Sequence, residues 1–163
     1  MLDHGKIWIK NSRILPQSFA KWFLNSNFSQ RLTSYFGEFA ISDEDDLGWP
    51  NIYWRLVRPM QKADLGPLHR DEWFWNLNQQ YQKPDYPFKR VKVWIPIHAE
   101  PGQNGLLVES DSQKRTDIKW DGELRYGLIK PVMLTEAKEL YPELVINQPG
   151  QAIIGSFVYL PEI

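Results

Sequence analysis

Hydrophobic and polar positions follow two different rhythms along this 163-residue chain. In LPQSFAKWFLNSNFSQRLTSYFG (15–37), Phe19, Trp22, Phe23, Phe28, Leu32, Tyr35 and Phe36 recur mostly three and four apart. That recurrence keeps apolar side chains on one face of an α-helix. Pro16 near the start and Gly37 at the end bound this helical part, taken as 14–37, and the NSNFS interruption at 25–29 is where it can divide. From Glu38 onward the helical period is lost. The segments 39–43, 51–59, 90–99, 104–110, 125–134, 143–148 and 151–160 are short and rich in β-branched and aromatic residues. Pro, Gly, Asn and Asp bound them, so they read as strands. GKIWIKN (5–11) alternates in the same way and reads as a first strand. LTEAKELYPE (134–143) reads as one late helix with Thr135 as its cap. The polar stretches 76–89 and 110–124 read as mobile surface loops.

Helices followed by a run of short strands argue for antiparallel sheet rather than repeated βαβ units. The strand spacing is uneven, which fits a jelly roll better than a regular meander. The expectation is therefore a mainly β fold with N-terminal helices, a cupin-like double-stranded β-helix, in a single domain over 1–163. A chain of this length can bury one core.

Composition narrows the functional classes. A net charge of -1 with mixed signs gives no global attraction to nucleic acid or an anionic membrane. The absence of cysteine excludes thiolate catalysis and cysteine-ligated metals within these residues. No apolar run is long enough to span a bilayer, and the first residues lack a signal-peptide pattern. The expected setting is cytoplasmic, without nucleic-acid or membrane partners. Eight tryptophans supply material for a core or for ligand-pocket walls.

The chemistry centres on GPLHRDEWFWN (66–76). On an extended strand, residues two apart point the same way, so His69 and Asp71 can present an imidazole and a carboxylate to one point. These are ligand types that a borderline divalent ion such as Fe(II) accepts, and one more histidine would complete a facial triad. H-x-D alone is a weak pattern, and a histidine and an aspartate sharing a loop is the competing reading. Trp73 and Trp75 follow at once, as pocket walls or as loop anchors. Tyr53 and Arg55 share one face of YWRLVR, where Arg55 suits a carboxylate as a planar two-pronged donor. KRVK (89–92) reads as a solvated start of a strand, with Lys92, Trp94 and His98 alternating on one face.

Together, LHRDEW, VKVWIPIHAEPGQNGLLVES and QPGQAII resemble the phytanoyl-CoA dioxygenase-like group of Fe(II)/2-oxoglutarate-dependent oxygenases, over about 51–154. The resemblance implies a double-stranded β-helix, with His69 and Asp71 as the first two iron ligands. Trp94 falls in the matching W-I-P strand, and Gly105 is the matching turn glycine. The implied activity is hydroxylation of a small molecule, with 2-oxoglutarate as co-substrate; Tyr53 and Arg55 become candidates for holding it. Trp73, Trp75, Trp94 and His98 become candidates for the substrate pocket.

The chain departs from the family pattern in two places. SDSQ (110–113) stands where the family has P-G-S-H. After QPGQAII the chain reads GSFVYLPEI, with no counterpart of the distal histidine or of the arginine that pairs with 2-oxoglutarate. His4, in the N-terminal tail, His98 and Glu162 are poor substitutes. Either the chain is a member lacking its last strands, able to form a homo-oligomer through an exposed sheet edge, or it is a variant that binds metal weakly or not at all, and the missing partners put its activity as given in question. The alternative is a non-catalytic jelly-roll module that binds a small molecule or sugar on tryptophan. A metal-dependent sugar isomerase of the cupin type would want more histidines than this chain has.

Overall fold

The computed structural model describes residues 8–58, 60, 61, 64, 69–77, 90–125, 128–135 and 140–155. The chain divides into two compact units, Met1–Asp64 and Leu65–Ile163.

In the first unit the helical stretch is two helices, α1 (Gln17–Leu24) and α2 (Asn27–Phe36), packed on one another. Pro16 occupies the residue before α1, where its fixed φ and missing N–H cost nothing. The division falls inside NSNFS because Ser26 caps α2, its Oγ accepting from Ser29 N at 3.2 Å. Gly37 ends α2 at φ 80°, a conformation that disfavours any residue with a Cβ. Ala20 and Leu32 are buried and Phe23 packs against Phe28, whereas Trp22, Tyr35 and Phe36 stay exposed. The apolar stripe is therefore wider than the face it buries.

Three expected strands of this unit do not form among the described residues. Within 5–11, residues 5–7 lie outside the described residues, and Lys10–Arg13 is a 3₁₀ turn. Segments 39–43 and 51–59 contribute only an isolated antiparallel bridge, Ile14 to Tyr53, flanked by bonds from Leu15 N to Ile52 O and from Trp54 N to Arg13 O. The aromatic residues of YWRLVR go into local packing instead. Trp54 meets Trp8 edge-on at 4.6 Å and donates its Nε1–H to Ser12 O.

The second unit holds α3 (Asp71–Leu77) and six strands: β1 (Lys92–Trp94), β2 (Leu106–Val108), β3 (Trp120–Arg125), β4 (Leu128–Met133), β5 (Glu143–Val145) and β6 (Ile153–Gly155). They form three two-stranded antiparallel ladders, β1 with β6, β2 with β5 and β3 with β4. The pairing is nested, first with last and inward. Among the described residues the ladders do not close into a barrel. The architecture of the described residues is thus mixed, with three α-helices and small antiparallel sheets, rather than mainly β.

All of β3 but its last residue, Arg125, falls in 110–124, where a polar loop was expected. Its polar residues Asp121 and Glu123 alternate with Trp120, which stacks on Trp73 of α3 at 5.2 Å, and with Gly122. A Cβ on Gly122 would come within 2.6 Å of Ile129 Cγ2 and 3.0 Å of Leu77 Cδ2, so the glycine lets α3 and β4 close over β3. Trp73, Ile118 and Leu140 form the buried core here, with Trp120 and Met133 against them. The expected helix over 134–143 has no helical residue among those described, and 136–139 lie outside them. Thr135 accepts from Lys119 N at 2.6 Å instead of capping a helix, and Glu143 begins β5.

Candidate functional site

Asp71 is the first residue of α3, so the pair is not two positions on a strand as the sequence suggested. His69 precedes the helix, and the turn into it delivers the same convergence by another route: His69 Nε2 lies 3.6 Å from Asp71 Oδ1. Asp71 is buried, 6% exposed, and His69 is half-buried. Placing Asp71 and Glu72 in the first turn sets their charges against the exposed N–H groups of the helix start.

Lys92 completes the cluster. From β1 its Nζ donates to Asp71 Oδ1 at 2.7 Å. The sequence reading left Lys92 in a solvated basic run. Its alternation with Trp94 was noted there, but that alternation does not reveal that Lys92 reaches Asp71. Burial by itself would raise the Asp71 pKa. The neighbouring His69 and the Lys92 charge outweigh it, and hold the carboxyl below its ordinary value of 3.8. Asp71 Oδ2 is buried and has no hydrogen-bond partner. A carboxylate oxygen left so costs free energy unless something occupies it.

Arg70, between the two, ties this segment to the following loop. Its Nη2 donates to Ser112 O and, at 3.0 Å, to Arg115 O, and its guanidinium lies 5.4 Å over the Trp73 ring. Arg115 in turn holds Glu109 at 2.7 Å and pairs with Asp117. SDSQ, the stretch that departs from P-G-S-H, is thus the carbonyl side of a latch onto Arg70. Sequence reasoning did not find this network, since five residues separated by up to 47 positions carry no local pattern.

The remaining candidates are placed as follows. Trp73 is a core residue, 3% exposed. Trp75 is half-buried beneath the Arg90 guanidinium at 5.0 Å. Trp94 is half-buried on β1 opposite Ile153, and His98 is exposed beyond that strand. Gly105 has φ 149°, and a Cβ there would meet Val145 O at 3.4 Å, which accounts for the turn glycine. Tyr53 and Arg55 belong to the first unit, where both have local partners. The Tyr53 hydroxyl is 2.7 Å from Asp45 Oδ2, and Arg55 Nη2 donates to Asp64 O at 2.7 Å. His4 and Glu162 lie outside the described residues.

In kind, His69 and Asp71 suit a borderline divalent ion: an imidazole nitrogen and a buried carboxylate with one unsatisfied oxygen. In number they are two. No group of three or more His, Asp or Glu among the described residues could hold a metal ion. No described helix is long and apolar enough to cross a membrane. Comparison of the chain with protein-family models, with curated proteins and with solved structures gives no match.

Proposed function

We propose that this chain carries the two-ligand part of a non-heme iron site of the phytanoyl-CoA dioxygenase-like kind, and that its reaction class is 2-oxoglutarate-dependent hydroxylation of a small molecule. The observation that carries the reading is the convergence of His69 Nε2 on a buried Asp71 carboxylate whose Oδ2 has no partner. The nested pairing of β1 with β6, β2 with β5 and β3 with β4 supports a double-stranded β-helix. A long antiparallel ribbon folded back on itself leaves that order of pairing when it is wound into a jelly roll.

In this reading His69 and Asp71 hold the ion, and α3 fixes the carboxylate by anchoring Trp73 in the core. Bound Fe(II), with 2-oxoglutarate, would supply the oxidising chemistry. Arg70 orients the segment through the carbonyls of Ser112 and Arg115. Burial around Asp71 keeps water from the carboxylate and strengthens its interactions.

The test is anaerobic loading with Fe(II) followed by an assay for 2-oxoglutarate decarboxylation. Turnover that Asp71→Ala abolishes is the expected result. Neither metal binding nor turnover in intact protein would overturn the catalytic reading while leaving the fold untouched. A ligand-induced tryptophan fluorescence change that needs no metal and survives His69→Ala would point to a binding module instead.

A further inference from the structure

The cation that the structure gives to Asp71 is the protein's own. Lys92 Nζ sits 2.7 Å from Oδ1, and the Asp71 side chain is 9% exposed while that of Lys92 is 36% exposed. His69 Nε2 approaches the same oxygen at 3.6 Å, so Oδ1 is the shared point of the cluster and Oδ2 is left unpartnered. A carboxylate in contact with an ammonium already has one positive charge to neutralise it where a cation would bind. The two cations cannot both neutralise one carboxylate at close range without repelling each other. The Lys92 head is far enough toward solvent, on a flexible four-carbon stem, to withdraw without unfolding β1.

We propose that Lys92 is a resident counter-ion of Asp71 that competes with a divalent cation for the His69–Asp71 pair, setting the affinity of the site. This rests on the metal reading above and deepens it. When no ion is present, Lys92 keeps the buried carboxylate compensated and the start of α3 in place. When an ion binds, the ammonium leaves Oδ1 for water, and that displacement subtracts from the affinity.

The experiment is a calorimetric titration of Mn(II) alone, without co-substrate, into wild-type protein and Lys92→Met. The expected result is binding at least about tenfold tighter in Lys92→Met, equivalent to about 1.4 kcal/mol. Asp71→Asn should lose binding. A second readout is thermal. Without metal Lys92→Met melts below wild type, because the buried carboxylate has lost its partner. Saturating Mn(II) raises its melting temperature more than that of wild type. Lys92→Gln, which keeps a donor for Oδ1 without the charge, gives the same ordering if the methionine variant does not fold. Equal Mn(II) affinity in wild type and the Lys92 variants overturns the competition and leaves the metal reading standing. Absence of Mn(II) binding in all of them overturns both.

Discussion

Asp64 and Asp71 are both buried aspartates facing a basic side chain, yet they are finished differently. Asp64 is 1% exposed and every part of it is used. Arg58 grips it with Nε on Oδ2 and Nη2 on Oδ1, each at 2.7 Å, and the Arg58 backbone N–H adds a third bond to Oδ2 at 2.9 Å. Arg55 takes its carbonyl. Asp71 has Lys92 on one oxygen, His69 nearby at 3.6 Å, and nothing on Oδ2. The arginine fork is planar, permanently charged and matched to both carboxylate oxygens, whereas an ammonium is a point charge that satisfies one. The first arrangement closes a loop. The second leaves a carboxylate oxygen for which only an additional group can compensate.

The largest effect should come from breaking the finished site. Asp64→Ala removes three charge-assisted hydrogen bonds, two of them between opposite charges, and leaves the Arg58 guanidinium and backbone N–H without their acceptor. The expected loss is about 3 kcal/mol of unfolding free energy in a urea melt. Metal binding in the second unit should be unaffected wherever the protein remains folded. A loss below about 1 kcal/mol would show that the fork is not what closes this loop.

Asp71→Asn should cost less, about 1–2 kcal/mol, since one charge-assisted bond is lost and Lys92 can turn to water. Its functional effect should be the reverse of its modest structural one. Mn(II) binding falls below detection, while Asp64→Asn at matched temperature below its melt leaves it intact. If Asp71→Asn proved as destabilising as Asp64→Ala, the two sites would be alike and the unfinished carboxylate would have no separate role.

α3 was not legible, since 66–76 read as a loop with an extended H-x-D, whereas α1 and α2 were legible because their signals are local: apolar residues three and four apart, the NSNFS interruption and a glycine stop. Strands β1, β2, β4, β5 and β6 were legible for the same reason, as each is a short β-branched or aromatic run. β3 was not. Its inward face is Trp120 and a glycine, and the force that holds it is stacking on Trp73, 47 positions away in the chain. The missing strand at 51–59 is the opposite case, where strand-like composition was drawn into a bridge, a tryptophan pair and the Arg58–Asp64 fork. At the site, the H-x-D motif pointed to two residues that the structure brings together, though a helix start rather than a strand aims Asp71. Arg55 was read as a ligand for a co-substrate carboxylate, and a backbone carbonyl in its own unit takes that guanidinium. Lys92 was invisible as a partner because an ion pair spanning 21 positions leaves no mark on the residues between.

The smallest expected effects separate a buried pair from an exposed one by pH and salt. Asp117 is 60% exposed, and its bond to Arg115 pushes its pKa down to about 2 from an ordinary 3.8. Asp71 is also lowered, though it is buried. In both, the folded state binds its proton less readily than the unfolded state. Each therefore contributes stability that is fully present above about pH 4 and is lost as pH falls through the folded-state value. Wild type should lose stability over that acid range more steeply than either Asp117→Asn or Asp71→Asn, measured as urea midpoints at fixed ionic strength. Salt then discriminates. At about 1 M NaCl the Debye length shrinks to about 3 Å, so the exposed Asp117–Arg115 contribution should vanish and the Asp71 contribution should persist. An Asp71 limb that salt erases as readily as that of Asp117 would mean that water reaches the carboxylate. The site would then lack the low-dielectric surroundings on which its unfinished oxygen depends.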